Sequence, residues 1–238
     1  MNKNFDFICR VLGWGDPQRG IWFIGMEEAT KWCSELQISQ YRNRNSLRRI
    51  DLRGETAYID SVDPANRYEH HSGGSRRKQI MNMQTRISMP LSEAGPKVME
   101  EYREQRLWCD NSGVFQSNIF PLGKPKVRDP LPKEYKTWFG YGPSDHEKYV
   151  RDTKLFRFDL IRRLRETYKP QVIVCFGKSF WHHAAEIFEL REITTFSDNL
   201  GFFERERVVL TPFLGQGMSC DQATTVAQRL KQWGVRLP

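Results

Sequence analysis

The sequence predicts an α/β fold: a three-layer α/β/α sandwich around a central, mostly parallel four-stranded sheet. Two observations carry this. Four short runs, Gly20–Gly25, Gly113–Phe120, Gln171–Phe176 and Arg207–Thr211, are strand-length and rich in apolar residues, as strands buried on both faces are. Between them lie segments whose apolar residues recur every three to four positions, the period of helices that cover a sheet. No internal repeat is evident, and residues 1–238 are read as a single domain.

In order, residues 1–19 predict a short helix with Phe5, Phe7, Ile8 and Leu12 on its apolar face, then a loop, Gly13–Arg19. The first strand, in GIWFIGMEEAT, follows, and a helix is expected over Glu27–Leu36. Residues 40–88 are poorer in apolar residues and rich in arginine, and are read as a basic, partly irregular insertion. It holds a weak strand candidate at Glu55–Ile59 and an SGGS hinge. A helix is expected over 92–107 with Ser92 as its cap. The second strand is followed by a long loop, 123–143, with room for one helical turn. A longer helix fits Ser144–Tyr168, where Tyr149, Phe156, Leu160 and Leu164 recur on one side. The third strand ends in Gly177-Lys-Ser and leads to a helix at Phe180–Leu190. Thr194–Phe203 reads as a hairpin partner of the last strand, and a final helix runs from Ser219 or Cys220 to Trp233.

Hydrophobic residues at 39% and charged residues at 28% are ordinary for a soluble domain. A net charge of +8 favours a polyanionic partner, most simply DNA. Arg76, Arg77 and Lys78, in an insertion that also carries Tyr41, Tyr58, Tyr68, His70 and His71, suit contact with its backbone. The five cysteines are scattered without a C-x-x-C pair, which argues against a zinc site and for reduced cytosolic thiols. No ligand spacing for a metal is evident around His182 and His183 either. The start shows no signal-peptide pattern, and no run has transmembrane length. A cytoplasmic monomer that does not engage membranes is expected.

The chemistry-bearing residues fall at the strand ends. The first strand ends in Gly25-Met26-Glu27-Glu28, the second in Ser117-Asn118, the third in Gly177-Lys178-Ser179, and the fourth in Thr211 with a glycine-containing loop. In a parallel sheet these points share the carboxyl edge, where open α/β sheets keep their ligands. Acids at the first strand end also suit the positive end of a helix dipole. The Gly-Lys-Ser helix start suits a phosphate.

This layout resembles the uracil-DNA glycosylase superfamily. Members carry a motif such as G-Q-D-P-Y, G-M-N-P-G or G-E-A-P-G after the first strand, where this chain has GMEEA. They place an asparagine at the end of the second strand, matched by Asn118 in SNIFPLGKP. A strand leading to glycine and a phosphate-binding helix is matched by VIVCFGKS. The closing H-P-S or N-P-S motif and its DNA wedge are matched by TPFLGQGMS.

The resemblance implies an enzyme that flips a base out of DNA and hydrolyses its bond to the sugar. Glu27 would be the first-choice catalytic carboxylate, supporting positive charge on the sugar and orienting water, with Glu28 second. The Met26 backbone amide, Asn118 and Thr211 would contact the base. Gly177, Lys178, Ser179, Gln216 and Ser219 would contact DNA, and Leu214 or Met218 would fill the gap left by the flipped nucleotide. No cofactor, metal or iron–sulfur cluster is implied. No lysine lies in the first motif, so a monofunctional enzyme is expected.

Three departures bear on the base. Glu28 stands where members have proline, Thr211 replaces the histidine that supports charge on the departing base, and Phe213 replaces the serine. Threonine donates a hydrogen bond but cannot become a cation. The departures point away from uracil and toward a modified, bulky base. Glucosylated hydroxymethylcytosine in phage DNA is the candidate, with antiviral defence as the setting. A repair enzyme for uracil or deaminated bases, a non-catalytic nucleic-acid-binding domain and a metal-dependent nuclease using Glu27 and Glu28 are the other readings.

Overall fold

The computed structural model describes residues 2–27, 32–60, 75–95, 97–124, 128–191, 195–197, 199–215 and 217–238. The chain forms two compact units. One comprises Met1–Gly13, Met26–Asp60 and Asn118–Thr167; the other comprises Trp14–Gly25, Ser61–Ser117 and Tyr168–Pro238.

Helix α1 is Lys3–Arg10, begun by the Asn2 side chain, which accepts from the Asn4 and Phe5 amides. Strand β1, Val11–Gly15, follows without a break, where the sequence reads as a loop. Its glycines explain the difference: Gly15 has φ +96°, and a Cβ there would lie 2.5 Å from the Val114 carbonyl. Strand β2 is Ile21–Glu27. The next helix, α2, is Glu35–Arg42 rather than Glu27–Leu36. The Ser34 side chain caps it by accepting from the Gln37 amide, while the Gln37 side chain accepts from the Cys33 amide.

The basic insertion holds regular structure. Strands β3, Leu47–Leu52, and β4, Glu55–Asp60, form an antiparallel hairpin in which Leu52 pairs with Glu55. Arg53 and Gly54, at φ 56° and 89°, make its two-residue turn. Helix α3 covers Ser75–Ser88. The SGGS hinge lies largely outside the described residues, as do Tyr68, His70 and His71.

Helix α4, Met99–Gln105, is shorter than expected and has no side-chain cap. Ser92 instead bridges to Leu237. Strand β5, Val114–Phe120, is buried along its whole length. After it come α5 (Tyr135–Phe139), α6 (His146–Thr153), a wide π turn over Lys154–Phe158, and α7 (Asp159–Tyr168). Strand β6 is Val172–Phe176, α8 is Trp181–Phe188, and β7 (Thr195–Ser197), β8 (Leu200–Phe203) and β9 (Val208–Thr211) close the sheet before α9, Cys220–Gln232.

The α/β expectation holds, but the sheet is larger and mixed. It has nine strands in the order β3-β4-β1-β5-β2-β6-β9-β8-β7. Its centre contains the four expected strands. β2 pairs parallel with β6, and β6 with β9. The Ile21 amide donates to the Gly113 carbonyl at 2.8 Å, so the neighbours β2 and β5 start side by side and run the same way. Around this centre the β1–β5, β3–β4, β7–β8 and β8–β9 pairs are antiparallel.

Ile21, Trp22, Phe23 and Ile24 are all 0% exposed, so both faces of β2 are covered. In the second unit, Ile21, Phe23, Val172, Val174 and Val209 share a core with Val226 and Leu230 of α9 and Ile87 of α3. The first unit is packed by aromatic rings: Phe5 lies 4.6 Å from Tyr141 and 6.0 Å from Tyr149, and Tyr135 lies 5.1 Å from Phe139. Among the described residues no helix is long and apolar enough to cross a membrane.

Candidate functional site

The strand ends set the geometry. In register, Ile24 lies abreast of Cys175, Cys175 of Leu210, and Phe176 of Thr211. Ile24, Cys175 and Leu210 therefore lie level across β2, β6 and β9, toward the carboxyl edge where open α/β sheets keep their ligand sites.

In the first unit, β2 continues through Met26, which is half-buried, to Glu27. The Glu27 side chain and all of Glu28 lie outside the described residues. Beyond them, the Trp32 amide donates at 2.7 Å to the Tyr135 hydroxyl, which donates to the Gly123 carbonyl at 2.9 Å. This ties down Trp32.

Asn118 is 8% exposed near the end of β5. Its carbonyl accepts from Arg157 Nε at 3.0 Å and Nη2 at 2.8 Å. Its side-chain amide has no hydrogen-bond partner among the described residues. The amide is not among the fully buried side-chain polar atoms that lack a partner. An unpaired amide at a parallel strand end suits a ligand that presents both a donor and an acceptor.

The second unit holds the other matched residues. Gly177 has φ +109°, and its amide donates to the Thr211 carbonyl at 3.0 Å. Lys178 and Ser179 are exposed on a single 3₁₀ turn, Lys178–Phe180, that precedes α8. Lys178 Nζ donates to the Asn199 side-chain oxygen at 2.6 Å. Asn199 also lines an open cleft of about 590 Å³ with Gly217, Met218, Ser219, Asp221, Gln222 and Thr225. Ser219 is the cap of α9: its hydroxyl accepts from the Gln222 amide, and the Gln222 side chain accepts from the Ser219 amide.

Three expected roles change here. Thr211 is fully buried, and its hydroxyl donates to the Pro212 carbonyl at 2.9 Å. Its one proton is therefore engaged and does not serve a base oxygen in this geometry. Leu214 is 0% exposed and Met218 is 5% exposed, and both belong to the core. Neither can act as a wedge where it stands. The ring that this loop presents is Phe213, at 40% exposure. It leans on Phe176 at 6.1 Å, and the Gly217 amide donates to the Phe213 carbonyl at 3.1 Å. A Cβ on Gly215 would come within 2.7 Å of that ring, so the glycine lets the loop fold over it. Gln216 lies outside the described residues.

Arg76, Arg77 and Lys78 lie in the first turn of α3, which has no acid. Lys78 is exposed; the side chains of Arg76 and Arg77 are not among those described. Cations at the positive end of a helix do not stabilise it.

Sequence reasoning missed Phe213, read only as a departure, and Arg157, a 2%-exposed cation on the inner face of the long helix. The spacing Tyr149, Thr153, Arg157, Leu160, Leu164 carried that signal. Compared with known proteins, the sequence matches no family model and no curated sequence at a significant level.

Proposed function

We propose that this protein is a monofunctional DNA glycosylase that flips a modified base from DNA and hydrolyses its N-glycosidic bond, leaving an abasic site. The observation that carries the reading is Asn118: a nearly buried strand-end side chain whose amide is unpaired among the described residues. A carboxamide offers one donor edge and one acceptor, which matches the mixed edge of a nucleobase. Glu27 closes the neighbouring parallel strand β2. There its carboxylate stabilises positive charge on the sugar as the bond to the base breaks. Water then adds to the sugar carbon, gives up a proton, and the base leaves protonated.

The DNA-binding part draws on the net charge of +8 and on the basic residues Arg76, Arg77 and Lys78 in the acid-free first turn of α3. The 40% exposure of Phe213 supports a role for its ring in the base stack. With the Thr211 proton held by Pro212, no cation stands at that motif position to support an oxyanion on the base. This favours a base other than uracil, with a bulky hypermodified cytosine of phage DNA as the candidate.

The test is single-turnover base release on DNA carrying that base. Glu27→Gln should slow release by at least about 100-fold, the scale of a positioned acid or base, while DNA affinity stays near that of the wild type. Full activity in Glu27→Gln would sink the assignment of the carboxylate.

A further inference from the structure

Arg157 lies buried at 2% exposure, and the planar fork of its guanidinium is spread over backbone carbonyls. Nε and Nη2, on one edge, both donate to the Asn118 carbonyl, at 3.0 and 2.8 Å. Nη1 donates to the carbonyls of Cys9 at 2.8 Å and Val11 at 2.7 Å, and at longer range to Ile8 at 3.3 Å. These carbonyls belong to the junction of α1 and β1, where the chain leaves a helix and its last carbonyls lack helical partners. One side chain thus fastens the end of β5 to the end of α1.

Removing a guanidinium from water is costly, and an apolar residue of similar volume often fills such a place as well or better. What the apolar residue lacks is the fixed fork, which holds two backbone segments in one relative geometry. The Asn118 amide has no partner of its own among the described residues, so its direction follows from the backbone that carries it.

We propose that Arg157 is a positioning residue: it fixes the backbone of Asn118 so that the side-chain amide meets a flipped base in one orientation. This rests on the reading of Asn118 as the base-contacting residue. Lysine keeps the charge at position 157 but concentrates its donors at one point, and cannot place two on one carbonyl.

The test has two arms. The first needs no activity: the Asn118 side-chain NH₂ signals, assigned by their loss in Asn118→Ala, are followed by nitrogen–proton NMR. Wild-type protein should give one sharp pair, with an Arg157 Nε–H that resists exchange with solvent. Arg157→Lys should broaden or split the pair while the circular dichroism spectrum is kept. The second arm is single-turnover base release. Arg157→Lys should lose about 100-fold in rate, the cost of a misplacement of about 1 Å, with DNA affinity within about threefold. Combined with Asn118→Ala it should add little further loss, because both changes act through one amide.

Fast exchange of the wild-type Arg157 Nε–H overturns the clamp even if no variant folds. Unchanged amide signals in Arg157→Lys, or losses that add fully in the double variant, overturn the positioning role. A wild-type protein that releases no base overturns the glycosylase reading instead, and the amide signals then decide on Arg157 alone.

Discussion

The side-chain amide of Gln84 donates to the side-chain oxygen of Gln116, and Gln116 in turn donates to the Ser117 carbonyl at 2.9 Å. A carbonyl can only accept, so each amide in this chain has one orientation. The Gln116 NH₂ must face Ser117, its oxygen must face Gln84, and the Gln84 oxygen is left over. That oxygen is buried without a partner among the described residues, as are the hydroxyls of Thr85 and Ser88 on the same helix. Gln116→Leu should therefore destabilise by about 1–3 kcal/mol, since it strands the Gln84 NH₂ in an apolar setting. Adding Gln84→Leu should recover part of that loss. Urea denaturation of the two single variants and the double variant checks the sign; fully additive losses would show that the pair is not coupled.

Gly20 directly precedes the central strand β2, where its backbone runs close to Gly113. A Cβ there would lie 1.6 Å from the Gly113 carbonyl oxygen, the same atom that accepts from the Ile21 amide. Gly20→Ala should give no folded protein. Gly54→Ala is the control: nothing lies within 4 Å of its Cβ position, and the strain of φ +89° costs only about 1–2 kcal/mol. Soluble expression and circular dichroism separate the two outcomes.

Phe213 and Leu214 are adjacent in sequence and opposite in setting. Leu214→Ala removes a fully buried side chain and should cost about 2–5 kcal/mol of stability. Phe213→Ala should cost little stability but weaken DNA binding by about 1–3 kcal/mol, the value of one ring stacked on a base. Thermal melts and fluorescence anisotropy on labelled DNA read both effects. Equal DNA affinity in Phe213→Ala would remove the ring from the proposed interface.

Burial pushes the Cys9 thiol up from 9.0 to about 12, against the pull of Arg157. The folded state thus holds it neutral where the unfolded chain would lose the proton. The resulting stability is fully present below pH 9 and is lost as pH rises from 9 toward 12. The urea midpoint should fall over that window, and less steeply in Cys9→Ala. In the same protein at pH 8, a thiol reagent should label the exposed Cys33 and Cys220 rapidly and reach the buried Cys9 and Cys175 only on unfolding.

Burial decided what could be read in the sequence. Strands β2, β5, β6 and β9 are covered on both faces, so their apolar runs announce them. β1 is buried too, but Gly13 and Gly15 break the run and imitate a loop. The β3–β4 hairpin carries charge on an exposed strand and turns at Arg53-Gly54, without the Asn-Gly or Asp-Gly signal that marks such turns. At the candidate site, Asn118 was legible because an amide at a strand end is chemically distinctive. Arg157 was not, because a cation on a helix reads as solvated unless its spacing is followed turn by turn. The Phe213–Leu214 pair shows a further limit: the sequence of a loop does not tell which of two adjacent apolar side chains faces out, and only packing does.

Release of free base from DNA in the presence of EDTA separates a glycosylase from a nuclease and from a binder. DNA carrying glucosylated hydroxymethylcytosine, or uracil, or unmodified bases is incubated with wild-type protein, and the small-molecule fraction is separated by chromatography. The proposed enzyme should give free modified base, an intact sugar–phosphate chain until alkali is added, and far less release from uracil DNA. Strand scission that requires Mg²⁺, or DNA bound and recovered unchanged, would contradict that activity.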